Sequence, residues 1–129
     1  MSLTGCKQET SSYQIDASRS FTLQRIKNTF WSRDWERWLT VARMPDCQRK
    51  HRLDDESEFG EIKLRQIDDN LFQLQDGKTL YEIDLQQCTL TELDRKAEKQ
   101  GETVGKFTSP DGKGIAFEAV APKPQAAPQ

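Results

Sequence analysis

The sequence predicts a mainly β domain: a small antiparallel β-sandwich or partly open barrel built from hairpins, with at most one short helix. Three observations predict it. Ile62 and Leu64 alternate with Lys63 and Arg65, and Tyr81, Ile83 and Leu85 alternate with Glu82, Asp84 and Gln86. Alternation with period two puts one face of a strand on a core and the other in water, as antiparallel sheets allow. Turn residues (Asp68-Asp69-Asn70, Asp76-Gly77, Pro110-Asp111-Gly112) also punctuate short apolar runs. Finally, the apolar residues, 34% of the chain, are concentrated between Phe21 and Val120. At 129 residues the chain fits one domain, and a chain of this size buries roughly two-thirds of its unfolded surface.

The elements follow in order. Residues 7–20 are polar except for Tyr13 and Ile15, so they are expected to form a flexible tether. Residues 21–38 fit either a helix or strands, because Phe30, Trp31, Trp35, Trp38 and Leu39 fall at helical spacing. The aromatics and nearby Thr residues favour strands. A strand through Leu39 and Val41 ends at Pro45, which lacks an amide donor and restricts Met44. Residues 48–53 are expected to pair with it across a Pro-Asp turn. Runs 62–67, 71–74 and 79–85 form a meander. Its Asp76-Gly77 step is a strong hairpin signal, because glycine tolerates positive φ. Residues 91–100 read as a short solvated helix between Thr91 and Gly101. A last hairpin spans 103–120, with Phe107 facing Ile115, Phe117 and Ala119. The expected organisation is a short N-terminal remnant and flexible tether at 1–18, one domain at 19–121, and a disordered Pro/Ala/Gln tail at 122–129.

Leu3-Thr4-Gly5-Cys6 resembles the lipobox of bacterial lipoproteins: an aliphatic residue, two small residues, then the cysteine that receives the lipid. The resemblance covers these four residues. It implies a signal peptide cut before Cys6, a palmitate-bearing lipid anchor on Cys6, and a cell-envelope address. The charged and apolar segments that precede the box in that family are not in this sequence. The expectation is a signal peptide left out, with Met1 and Ser2 added. Lys7 stands where the family's inner-membrane retention signal carries Asp. That implies the outer membrane, facing the periplasm.

Of the three cysteines, Cys6, Cys47 and Cys88, the last two remain once Cys6 carries lipid. Two cysteines in an oxidising compartment suggest a Cys47–Cys88 disulfide. A sharper alternative uses Met44, Cys47 and the only histidine, His51, to hold a metal or small ligand. On a strand, residues four apart share a face but stand about 13 Å apart, too far for one ion. No cofactor and no metal are therefore expected.

Composition narrows the function. A net charge of −2 speaks against a general nucleic-acid binder, which needs a strong basic excess. There is no Gly-x-Ser-x-Gly elbow, no phosphate-cradling glycine loop and no HExxH. The runs Asp54-Asp55-Glu56 and Asp68-Asp69 read as turns and solvated loops. No catalytic residues are assigned.

The candidate partner-binding residues are Trp31, Trp35 and Trp38 together with Arg43, Arg49, Lys50 and Arg52. Trp31 and Trp35 share strand parity while Trp38 takes the other, so all three cannot point inward along one strand. An outward Trp makes an adhesive platform. The basic residues lie close to Asp46, Asp54, Asp55, Glu56 and Glu58, a mixture that usually forms a solvated, weakly paired surface. The expectation is a non-catalytic envelope lipoprotein that binds a protein or cell-wall polymer. The alternatives are the Met44/Cys47/His51 ligand binder and a purely structural envelope component.

Overall fold

A computed structural model describes residues 7–27, 34–56, 60–109 and 114–120. The first sheet is a four-stranded meander of β1 (Lys7–Gln14), β2 (Arg19–Lys27), β3 (Trp35–Arg43) and β4 (Cys47–Glu56). The second contains β5 (Ile62–Asp68), β6 (Leu71–Asp76), β7 (Thr79–Asp84), β8 (Thr89–Glu92), β9 (Glu102–Thr108) and β10 (Ala116–Ala119), in the order β10-β9-β5-β6-β7-β8. Every pairing between these strands is antiparallel. The architecture is the β-sandwich that the alternation predicts, with no helix among the described residues.

The two sheets meet through their alternating apolar positions. Phe21, Leu23, Leu39 and Val41 of the first sheet and Ile62, Leu64, Phe72, Leu74, Ile83 and Phe107 of the second are fully buried. The Phe21 and Phe72 rings meet edge to face across the interface, with centroids 4.9 Å apart. Such pairs add about 0.5–1.5 kcal/mol beyond the area they bury.

Neither long side closes by a ladder of strand hydrogen bonds. On one side the Tyr13 ring of β1 stacks on Phe117 of β10 at 4.5 Å, and Phe117 in turn meets Phe107. On the other side a disulfide joins Cys47 at the start of β4 to Cys88 in the β7–β8 turn. Arg43 donates from Nε to the Leu85 carbonyl and from Nη2 to that of Gln86. His51 Nε2 lies 2.8 Å from the Cys88 carbonyl oxygen. These contacts fix Cys88 at φ 56°, a left-handed backbone unusual for a residue with a Cβ.

Two expectations are corrected. Residues 7–14 are not a tether. They form β1, in register with β2 from Lys7↔Lys27 to Gln14↔Ser20. Strand pairing satisfies backbone groups whatever the side chains, and two inward contacts anchor this strand: Tyr13 on the core, and Glu9 Oε1 accepting from Arg25 Nε at 2.6 Å. Residues 7–14 therefore belong to the folded domain.

Residues 91–100 are not a helix. Thr91 and Glu92 complete β8, and residues 93–101 run irregularly over the outer face of the second sheet. Gln73 projects from that face and takes up their backbone groups. Its Nε2 donates to the Glu98 carbonyl at 3.0 Å and its Oε1 accepts from the Gln100 amide at 3.1 Å. A tertiary partner for the backbone thus replaces the helical one. The segment ends at Gly101, with φ +90°, where a Cβ would lie 2.5 Å from the Gln66 carbonyl oxygen.

Other elements agree with the reading. Residues 19–27 and 35–43 are strands, Gly77 takes positive φ (62°) in the β6–β7 hairpin, and Phe107 pairs with Phe117. Met44–Pro45, a cis bond, turns β3 into β4. The lipobox-like residues 3–6, Trp31, Glu58, the Pro110-Asp111-Gly112 turn and the tail at 122–129 lie outside the described residues.

Candidate functional site

The sequence-predicted partner-binding residues divide between the two faces of the first sheet. β3 turns Trp35, Arg37, Leu39 and Val41 inward, which sends Glu36, Trp38 and Thr40 to the outer face. Register then sets their neighbours. One row across the sheet reads Thr10, Gln24, Trp38, Arg52; the next reads Ser12, Thr22, Thr40, Lys50.

Trp38 is half-buried, and its Nε1 donates to Glu36 Oε2 at 2.6 Å. The Lys50 ammonium lies 4.7 Å from the ring centroid and the Arg52 guanidinium 5.5 Å away. Cation–ring contacts at exposed sites contribute about 0.5–1 kcal/mol. Arg52 also pairs with Asp55 at 3.0 Å and Glu36 at 3.7 Å, and the Asp55 hydrogen bond raises its pKa further. Lys50 has no carboxylate within ion-pair distance among the described residues. Thr10, Ser12, Lys50 and Arg52 are exposed, and no described segment is hydrogen-bonded across this face.

The other candidates stand elsewhere. Trp35 is 9% exposed and lies under the Arg25 guanidinium, 4.2 Å from its ring centroid, so it belongs to the packed interior. Arg43 is spent on the β7–β8 turn and on Asp46 at 2.6 Å. Arg49 is exposed but alternates with Lys50, so it leaves β4 on the side away from Trp38. The structure brings together Trp38, Lys50 and Arg52 and separates them from Trp35, Arg43 and Arg49.

Met44, Cys47 and His51 do not form a ligand set. The Cys47 sulfur is in the disulfide, His51 Nε2 faces the Cys88 carbonyl, and Met44 is exposed in a turn. Among the described residues, no group of three or more His, Cys, Asp or Glu side chains is placed to hold a metal ion.

Glu56, read as part of a solvated loop, is instead half-buried with Asp76 against a buried guanidinium. Glu56 ends β4, and its Oε2 lies 3.6 Å from Nη1 of Arg37, itself 2% exposed. Arg37 also donates to Asp76 Oδ2 at 2.8 Å and to the Asp54 carbonyl at 2.7 Å. Burial pushes the Glu56 carboxyl up, against the pull of Arg37. Burial, then the negative charge of Asp76, pushes the Tyr81 hydroxyl to about 12. Both carboxylates of this set face Arg37, an arrangement that holds buried charge between the sheets. Sequence spacing carried no sign of it, because Arg37, Glu56 and Asp76 come from three strands.

The polar partners of Trp38, namely Thr10, Ser12, Thr22, Gln24 and Thr40, were also missed. Thr22, Gln24 and Thr40 alternate with Phe21, Leu23, Leu39 and Val41, but the register of these polar residues with Trp38 was not visible. The chain matches no protein-family model, no curated protein and no solved structure.

Proposed function

We propose that this is a non-catalytic binding domain of the bacterial cell envelope, anchored by lipid on Cys6, whose working surface is the outer face of the first sheet. The observation that carries the binding role is Trp38 on that face, beside Lys50 and Arg52 and with no described segment across it. Large amphipathic rings on rigid strands are the groups that dominate binding energy when a partner covers them. The anchor rests on the resemblance of Leu3-Thr4-Gly5-Cys6 to a lipobox. Because β1 begins at Lys7, one residue beyond Cys6, such an anchor holds the sandwich close to the bilayer rather than at the end of a tether.

The test is retention of the purified domain on bacterial envelope fractions. Trp38→Ala should keep the wild-type near-ultraviolet spectrum and thermal midpoint yet lose retention. Trp35→Ala, which empties a packed position, should lower the midpoint. Wild-type retention of a folded Trp38→Ala variant overturns the assignment of this face.

A further inference from the structure

We infer that the occupant of the Trp38 face is an acidic polysaccharide. The inference rests on the binding role proposed above and names the chemistry of the partner. The face offers one aromatic ring, hydrogen-bonded to the Glu36 carboxylate, beside hydroxyl and amide side chains and the aliphatic Ile26. A protein interface has an apolar, closely packed centre, and around Trp38 the register places Gln24, Thr22 and Thr40 instead. Hydroxyl and amide groups both donate and accept, which suits a sugar whose every edge carries hydroxyls. The C–H face of a pyranose ring is the part that packs against an indole.

Charge selects among glycans. Lys50 holds its ammonium over the Trp38 ring without a carboxylate partner among the described residues, whereas Arg52 beside it is paired with Asp55 and Glu36. An acidic group on the sugar pairs with Lys50 and draws the ammonium off the ring face, which the sugar then covers. A nucleic acid would also bring negative charge, but the chain carries −2 overall, and counterion release needs a broad basic surface.

Geometry favours a chain over a single sugar. Four strands at about 4.8 Å spacing carry the Thr10–Gln24–Trp38–Arg52 row across about 14 Å of sheet. β2 and β3 are hydrogen-bonded on both sides, so the central positions are held before any ligand arrives.

The experiment titrates the domain with oligosaccharides of polygalacturonate, alginate and hyaluronate while following tryptophan emission and binding heat. Methyl-esterified polygalacturonate, polyglutamate and single-stranded DNA serve as comparisons. Saturable binding to at least one acidic glycan is expected, lost with methyl esterification and absent with polyglutamate and DNA. Trp38→Ala and Lys50→Glu should each weaken it about tenfold or more, with unchanged thermal midpoints. Trp38→Phe, which keeps an aromatic face, should retain most of it.

Equal binding of polyglutamate or DNA overturns the inference in favour of charge alone, and equal binding of the esterified glycan overturns the acidic requirement. Absence of binding to all three acidic glycans overturns the inference outright. Trp38-dependent retention on envelope fractions would in that case still stand and would point to a protein partner.

Discussion

The outer faces of the two sheets begin alike and end differently. Both alternate out of apolar strands, and both carry polar side chains. On the second sheet, residues 93–101 cross the face, and Gln73 beneath them is only 2% exposed. Arg65 on the same face is buried as well, donating to Gln75 Oε1 at 2.7 Å. On the first sheet the equivalent positions hold Trp38, Thr40, Lys50 and Arg52, with no described cover. A polar outer face therefore does not by itself mean a solvated one. What decides is whether the chain supplies backbone groups to meet it. Gln73 shows the mechanism, since one amide side chain satisfies a carbonyl and an amide of the covering segment. Trp38 donates to Glu36 two residues away, and among the described residues it meets no covering segment in this way.

The comparison can be broken at several levels. The largest effect is expected from removing the Cys47–Cys88 bridge, which ties the edge of the first sheet to the second across a sequence separation of 41. In the chain-entropy model such a loop contributes about 4 kcal/mol. Urea denaturation of the Cys47→Ala, Cys88→Ala variant should show a loss of that order, with both sheets melting in one transition. A separate early transition of either sheet would show that the two faces belong to independent units.

Gln73→Ala should come next, at about 1–3 kcal/mol, because it leaves backbone groups of the covering segment unpaired. Hydrogen exchange localised to residues 93–101 would sharpen the contrast, and unchanged protection would remove it. Trp38→Ala, on the uncovered face, should cost less than about 1 kcal/mol in the same assay.

The smallest effect is in the acid limb. The Ser18 amide, the Arg19 side chain and the Arg19 amide hold Asp16 at about 2, below its ordinary 3.8. A lowered carboxylate contributes stability that is complete above the ordinary value and lost as pH falls through the folded one. Asp16→Asn should therefore flatten stability between about pH 4 and pH 2, measured by thermal midpoint. Glu56 has the opposite sign. Its raised pKa favours the folded state below 4.5, and that contribution fades as pH rises through the folded value.

Much of the fold was legible in advance because its signals are local. The alternation at 62–65 and 81–85, the Asp76-Gly77 hairpin and the break at Pro45 each reflect sterics or solvation within a few residues. The cysteine pairing followed from setting Cys6 aside, although proximity of the two sulfurs is a property of the folded chain. In the strand reading the opposite parity of Trp35 and Trp38 was legible too, and the structure sends Trp35 inward and Trp38 out. The register that sets Lys50 and Arg52 beside Trp38 was not, because it depends on where the single β3–β4 turn closes rather than on any one residue's preference.

By itself, then, the sequence determined a mainly β, antiparallel domain and its central hairpins, since a period of two is written into the chain. Only the tertiary structure decided that residues 7–14 are a strand, that residues 93–101 cover a sheet, and that Arg37 is buried among carboxylates. In each case a polar segment or side chain found its partner on another element. A backbone amide, a glutamine or a guanidinium is neutral about structure until that partner is in place, whereas an alternating apolar residue is not.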